Sequence, residues 1–153
     1  DLESSKFINW VSPLMPGNRA ASIKLIRSVQ TGMTDTDFPS ISIGNLASHR
    51  EIEKKVGEKL SLLRWRCNLW IDGCKPWDEH KWIGKNLKIG EVTFKIEEEI
   101  VRCLATTANP VSGKRDVDTL GTLEIMGQDD FTVAAIATSS GQIKSGDSVE
   151  VIS

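Results

Sequence analysis

Apolar and polar residues alternate along several short stretches of the chain, which is the pattern of β-strands with one buried face. Turns that contain Gly, Asp or Asn bound these stretches, and together the two signals predict seven short strands. The predicted strands span residues 23–29, 40–43, 63–71, 92–96, 100–106, 131–137 and 148–152. Within 63–71, the alternation predicts Arg64, Arg66 and Asn68 on one face and Cys67 on the other.

Three other stretches carry apolar residues at helical spacing. They are residues 3–12, which Pro13 would end, residues 45–56, which Gly57 would close, and the stretch between Asp118 and Gly127. Asn45 is expected to cap the second helix, and His49 on its polar side is expected to face solvent. Because strands outnumber helices, we expect a mainly β fold: a mostly antiparallel, partly closed barrel with two or three short helices. We expect one domain over residues 1–153.

The composition narrows the classes of function. The 153 residues suffice for one hydrophobic core, and 19 basic against 21 acidic residues give a net charge of -2 with both signs mixed. Such a charge favours neither nucleic acid nor an anionic membrane. The sequence contains no apolar run of transmembrane length and no signal-peptide pattern, so we expect a cytoplasmic protein without membrane contact. Three cysteines without a C-x-x-C pair and only two histidines argue against a structural zinc site. For His80, the sequence does not indicate which other residues could complete a metal site.

Cys103 is the first candidate for chemistry, because a thiolate is both a soft metal ligand and a sulfur nucleophile. Arg102 precedes it, but successive strand residues point to opposite faces. Arg102 is therefore not expected to face the Cys103 sulfur unless the strand is bulged or ends there. Cysteines in strands are more often small buried apolar residues, which is our interpretation of Cys67 and Cys74.

A second candidate is an anion site where the 40–43 strand meets the following helix. The free backbone N–H groups of a helix start can face a phosphate or an oxo group, and Ser42 and Asn45 would line such a site. Ordinary helix capping by Asn45 is the alternative explanation. Arg64, Arg66 and Asn68 share one predicted strand face and could together bind a phosphate group. The alternative is that they form the solvated face of an edge strand.

An ordered series of short motifs resembles the MOSC family, the module first described at the C-terminus of molybdenum-cofactor sulfurases. The series comprises Arg64 to Asn68, Trp77-Asp78-Glu79 with Trp82, Ile89-Gly90, Arg102-Cys103, Thr106-Thr107, Asn109-Pro110 with Gly113, and Gly146-Asp147. The resemblance covers about 40–153 and is densest over 102–116. Two positions depart from the family pattern: Cys67 stands where proline is frequent, and Asn109 where aspartate is frequent. Family members also commonly have an N-terminal β-rich segment, of which little is seen before Ser40.

The resemblance implies that Cys103 ligates the molybdenum of the pterin cofactor, molybdopterin, or carries sulfur destined for it. It also implies that Arg64, Arg66, Asn68, Thr107 and Asn109 contact the cofactor, with a guanidinium group on its phosphate. No pyridoxal phosphate is expected.

Three functions stay open at this point. The first is a molybdenum-dependent oxidoreductase that reduces N-oxygenated compounds with electrons from a donor protein. The second is a carrier that receives sulfur from a donor protein as a persulfide on Cys103. The third is a non-catalytic binding module that acts through a partner domain.

Overall fold

The computed structural model describes residues 2–27 and 36–152, which fall into two compact units with a boundary between Asp35 and Thr36. In the first unit, helix α1 (Leu2–Val11) is followed by a 3-10 turn, Ser12–Leu14. The helix agrees with the prediction for 3–12. The strand predicted at 23–29 is wrong over 23–27, which are irregular, because no strand of the described part of this unit pairs with them. Residues 28 and 29 lie outside the described residues.

The second unit is a six-stranded sheet with two α-helices. Its elements are β1 (Ile41–Asn45), α2 (Leu46–Val56), β2 (Leu69–Ile71), β3 (Asn86–Ile89), β4 (Val92–Val101), α3 (Thr119–Ile125), β5 (Asp130–Ala137) and β6 (Val149–Ile152). The strand order is β2-β1-β5-β4-β3-β6. β1 and β2 pair in parallel, and the other neighbours are antiparallel.

The sheet is a half-barrel that stays open, since β2 and β6 are its two edges. The mainly β, mostly antiparallel fold with three short helices is therefore confirmed, and the expected partial closure is replaced by an open arrangement. The edge strands have three and four residues, and short edges limit unwanted pairing with other chains. None of the helices within 2–27 and 36–152 has the length and apolar content needed to cross a bilayer.

The strand predicted at 63–71 is wrong over most of its length. Residues Leu62–Trp65 form a 3-10 turn, which begins where the Ser61 hydroxyl accepts a hydrogen bond from the Leu63 N–H at 3.3 Å. Arg66 follows in the left-handed conformation, with φ 50°, and the strand itself begins only at Leu69. Arg64 and Trp65 are both buried, whereas a strand with one buried face would bury only every second residue.

The strands predicted at 92–96 and 100–106 also differ from the structure. β4 runs without a break to Val101, and Leu104–Thr107 is a 3-10 turn. The unpredicted strand β3 forms a hairpin with β4, in which Ile89 pairs with Val92. The hairpin turn uses Gly90 with φ 54°, a conformation that glycine adopts without strain.

The apolar core consists of two clusters. One lies along the sheet and includes the fully buried Ile43, Leu87 and Ile96. The other lies under the helices and includes Ile52, Leu60, Trp65, Leu123 and Phe131. The ring centroids of Trp65 and Phe131 are 4.4 Å apart in an edge-on arrangement, so aromatic packing joins the 3-10 turn Leu62–Trp65 to β5.

His49 lies inside the second cluster, which contradicts the expectation that it faces solvent. Its Nδ1 accepts a hydrogen bond from Trp65 Nε1 at 3.0 Å, and its Nε2 is 3.2 Å from the Leu60 carbonyl oxygen. Burial lowers the pKa of His49, against the opposing influence of Glu53. The ring therefore acts as a neutral hydrogen-bonding bridge.

Asn45 caps α2 as predicted, and its whole side chain is used inside the fold. The carboxamide oxygen accepts from the Ala47 N–H at 2.9 Å. The amide nitrogen donates to the Lys75 carbonyl and to Glu79 Oε2, each at 2.7 Å. Asn45 is fully buried, so one side chain joins the start of α2 to the chain around residues 75–79.

We predict that Asn45→Ala lowers the free energy of unfolding by about 2–4 kcal/mol, because it removes a helix cap and leaves buried partners unsatisfied. Denaturant unfolding measures this change. Asn86→Ala is the matched control, since the Asn86 side chain makes no hydrogen bond with the described residues, and we expect a change within about 0.5 kcal/mol. Equal losses in the two variants would contradict the structural role of Asn45.

Candidate functional site

Cys103 lies two residues beyond the end of β4 and precedes the 3-10 turn Leu104–Thr107. Its carbonyl oxygen accepts hydrogen bonds from the Thr106 N–H and hydroxyl, both at 3.1 Å. Of the three free cysteines it is the exposed one. Because the strand has ended, the alternation that would separate Arg102 from the Cys103 sulfur no longer applies.

The Arg102 guanidinium is held by three uncharged acceptors. Nε donates to the Phe131 carbonyl at 2.6 Å, and Nη1 donates to the Trp65 carbonyl at 3.0 Å. Nη2 donates to the Thr132 hydroxyl. Thr132 itself has φ 75°, which is unusual for a β-branched residue. Arg102 thus joins the end of β4 to the 3-10 turn Leu62–Trp65 and to the start of β5.

Burial lowers the pKa of Arg102 to about 10, and attraction to Cys67, Cys103 and Asp130 partly opposes the decrease. The guanidinium therefore remains protonated at neutral pH. No ion pair involving Arg102 occurs among residues 2–27 and 36–152. Its positive charge is fixed in position near two sulfur atoms without direct neutralisation.

Cys67, the other sulfur near Arg102, is half-buried. Its Sγ donates to the carbonyl oxygens of Ser42 at 3.3 Å and Leu69 at 3.1 Å. Burial raises the pKa of the Cys67 thiol to about 11, although hydrogen bonds and Arg102 act in the opposite direction. At neutral pH this sulfur is a thiol, which is a poor nucleophile and a poor metal ligand.

Arg66, Asn68 and Ser42 lie on an accessible surface. The Asn68 side-chain oxygen accepts from the Ser42 N–H at 2.8 Å and from its hydroxyl at 2.9 Å, while the Asn68 N–H donates to the Ser42 hydroxyl at 3.0 Å. The Arg66 side chain is exposed and makes no hydrogen bond or ion pair with the described residues. It is thus a free cation beside a paired amide and hydroxyl, although the shared strand face predicted for Arg66 and Asn68 is absent.

Arg64, Thr107 and Asn109 lie close together, but their hydrogen bonds link them to one another and to Asp116. Arg64 is buried, and its guanidinium donates to the Thr107 carbonyl at 3.2 Å and to Asp116 Oδ1 at 2.7 Å. The Asn109 amide donates to Asp116 Oδ2 at 2.8 Å, and its oxygen accepts from two backbone N–H groups of its own turn. These bonds, first that from Asn109 and then that from Arg64, lower the pKa of Asp116. This group holds the 104–116 loop in place.

The predicted site residues do not surround a single cavity. Asn68 lines a cavity of about 330 Å³ between the two sheet edges, together with Trp70, Ile89 and Lys144. Thr107 lines a second cavity of about 260 Å³ that includes Asp116. Cys103 is not among the lining residues of either cavity, and Asn45 is enclosed in the fold.

Arg102 and Asp116 are the residues that the sequence prediction missed. Arg102 was adjacent to the candidate cysteine, but its role depends on the strand ending at Val101. The signal was the loss of apolar alternation after that residue, where Cys103 begins the polar turn. Asp116 is the last residue of the motif-rich segment 102–116. Its ion pair with Arg64 joins residues that are 52 positions apart, and no local sequence pattern indicates such a contact.

We predict that a neutral alkylating reagent modifies Cys103 faster than the other two cysteines in the folded protein. Cys67 should react slowly because its thiol is buried and hydrogen-bonded. Cys74 should also react slowly, because burial and the nearby carboxylates of Asp78, Glu79 and Asp72 raise the pKa of its thiol. Peptide mass mapping measures the three rates, and the urea-unfolded protein, in which they should converge, is the control. Faster labelling of Cys67 or Cys74 in the folded state contradicts this expectation.

We predict that Arg64→Met and Arg66→Met differ sharply in stability although the chemical change is the same. Arg64→Met should lower the free energy of unfolding by about 1–3 kcal/mol, because it removes one of the two donors to the Thr107 carbonyl, the other being the Asp116 N–H, and the charged partner of Asp116. Arg66→Met should change it by less than about 0.5 kcal/mol. Denaturant unfolding of both variants measures these free energies. A larger loss of stability in Arg66→Met than in Arg64→Met would refute the conclusion that Arg64 has a structural role.

Comparison with known proteins agrees with this architecture. The crystal structure of YiiM from Geobacillus stearothermophilus is similar over 74% of this chain and 54% of that chain, with a TM-score of 0.54 and 10% sequence identity. At that identity the likeness shows the fold alone, and the chain spans about half the length of that protein. A search of the curated proteins found no match. The model of the MOSC domain matches residues 34–150, which is most of the chain, and the chain therefore belongs to this family, which is associated with the molybdenum cofactor.

Proposed function

We propose that this MOSC chain binds the molybdenum cofactor, with the Cys103 thiolate as the metal ligand, and reduces N-oxygenated compounds. The observation that carries the proposal is the position of Cys103: it is the exposed cysteine, it begins a turn at the end of β4, and it directly follows Arg102, whose guanidinium is held by three acceptors. A soft thiolate is a suitable ligand for a redox-active transition metal.

The residues present fit the cofactor in part. Arg66 offers an exposed guanidinium without a partner among the described residues, and guanidinium groups bind phosphate in a bidentate manner. Asn68 adds a carboxamide nitrogen nearby, whereas the Ser42 hydroxyl is paired with Asn68 and would act by orienting that side chain. Arg64, Thr107 and Asn109 would act indirectly, by holding the loop that follows Cys103, because their polar groups are already engaged.

When bound, the cofactor supplies a centre that exchanges two electrons. Reduction of an N-hydroxylated amine to the amine consumes two electrons and two protons and releases water, so a separate electron-donor protein is required. Arg102 contributes a fixed positive charge that needs no rearrangement, because its three acceptors hold it before any ligand arrives. Cys67 remains a neutral thiol and does not compete with Cys103 for the metal.

A second function is favoured by the absence of Cys103 from the lining of the two cavities described above. An exposed thiol at a loop start is well placed to meet another protein. In this function, Cys103 accepts a sulfane sulfur from a donor protein's persulfide and passes it to an acceptor. A binding module without either activity is the third alternative.

The test is elemental analysis of protein purified from a host that makes the molybdenum cofactor. We predict near-stoichiometric molybdenum in the wild type, loss of at least about tenfold in Cys103→Ser, and retention in the matched control Cys67→Ser. Arg66→Met should retain less cofactor while remaining as stable as the wild type.

Three results would contradict the molybdenum proposal. Sulfur that cyanide releases from Cys103 as thiocyanate, without molybdenum, indicates the carrier function. Neither molybdenum nor releasable sulfur, or equal molybdenum in Cys103→Ser and wild type, leaves the chain as a binding module.

A further inference from the structure

We propose that His80, Glu99 and Asp130 form a binding site for one divalent transition-metal ion, separate from Cys103. His80 belongs to a 3-10 turn, Asp78–Trp82, whereas Glu99 lies in β4 and Asp130 begins β5. One ligand atom from each side chain lies within 4.8 Å of the other two. The expectation from sequence against a structural zinc site concerned cysteine and histidine ligands, and this group contains a single histidine and no cysteine.

The contact between His80 and Asp130 is the first argument. His80 Nε2 and Asp130 Oδ2 are 2.9 Å apart, yet their orientation does not form a hydrogen bond, and neither atom has another partner among the described residues. Two atoms that ligate the same Zn²⁺ at about 2.1 Å are separated by about 3.4 Å at the tetrahedral angle and by about 3.0 Å at a ligand angle of about 90°, to which the distance between Nε2 and Oδ2 corresponds. The separation and the missing hydrogen-bond geometry both fit two ligands directed at a common ion.

The burial of Asp130 is the second argument. The residue is only 5% exposed, and a buried carboxylate oxygen without a hydrogen bond is costly unless a cation neutralises it. An imidazolium at His80 is one possible cation, which would make the pair an ordinary ion pair. Arg102 also attracts the Asp130 carboxylate, but it forms no ion pair or hydrogen bond with it. A metal ion is the remaining cation, and only the metal gives Glu99 a part in the same group.

The sheet geometry explains why these side chains converge. The pairing of β4 with β5 is irregular between Glu99 and Val101: Glu99 pairs with Val133, whereas Val101 pairs with Asp130. Such bulges redirect side chains and are common next to functional sites. On the other side, the Trp77 ring packs against the His80 ring with centroids 5.7 Å apart, which restrains the imidazole.

The donor set defines the class of ion. One imidazole nitrogen and two carboxylate oxygens suit Zn²⁺, Mn²⁺ or Fe²⁺ rather than the soft ions that prefer thiolates. The two carboxylates together neutralise a divalent charge. Because Glu99 is exposed, further coordination positions remain open to water or a small ligand. We commit to Zn²⁺ as the probe ion, and this site does not depend on the proposed cofactor.

The experiment measures Zn²⁺ binding to metal-free protein by titration calorimetry, and uses Co²⁺ absorption to identify the ligands. Glu99→Gln is the test variant, because an exposed residue can be changed without loss of the fold. Glu98→Gln is the matched control, since it removes the same charge from the adjacent exposed position of the same strand. Thermal unfolding of both variants verifies that they remain folded.

We expect one Zn²⁺ per wild-type chain, with binding at least about tenfold weaker in Glu99→Gln, because even residues that only orient a metal ligand are worth about 10–100-fold in affinity. Glu98→Gln should bind within about twofold of the wild type. The Co²⁺ spectrum should lack a thiolate charge-transfer band and should be unchanged in Cys103→Ser.

Three results would overturn the proposal. The absence of saturable binding, or equal affinity in the Glu99→Gln and Glu98→Gln proteins, would show that His80 and Asp130 are an ordinary ion pair. A thiolate band that disappears in Cys103→Ser would show that the ion binds at the cysteine instead.

Discussion

The half-buried guanidinium of Arg102, with its three hydrogen bonds, is the interaction on which the candidate site depends. A guanidinium has five donors and no acceptor, so removing it from water requires acceptors that are fixed in place. Here those acceptors are two backbone carbonyls and one hydroxyl, none of them charged. The backbone is thus organised around a cation that has no ion-pair partner among the described residues. Its charge therefore attracts neighbouring groups, and Cys103, at the next position in the chain, is one of them.

The parts of the fold that could be predicted from sequence are those whose signals are local. Helix α2 combines a cap at Asn45 with a left-handed Gly57 at its end, and β5 is a compact apolar run after a polar turn. Residues 63–71 looked equally regular. Their 3-10 turn instead makes distant contacts, among them those of Arg64, whose partners Thr107 and Asp116 are 43 and 52 residues further along. No periodicity within a short window contains that information.

The candidate site shows the same division. Cys103 could be selected through a series of motifs, and Asn45 could be placed at a helix start. Whether Asn45 was free for a ligand depended on its contacts with Lys75 and Glu79, which are 30 and 34 residues away. The sequence therefore could not reveal that the Asn45 carboxamide is already fully hydrogen-bonded within the fold. Long-range polar pairing therefore decides which candidates are scaffold and which, like Arg66, remain available.

The order of strands in the sheet has a consequence for how the chain is made. β1 lies between β2, which follows it closely, and β5, which is near the other end of the chain. During synthesis β1 has no antiparallel partner until most of the polypeptide has left the ribosome, whereas the β3–β4 hairpin can form by itself. Pairing between such distant segments slows folding. Until then the exposed edge of β1 can meet other nascent chains, so newly made protein is most at risk of aggregation before β5 arrives.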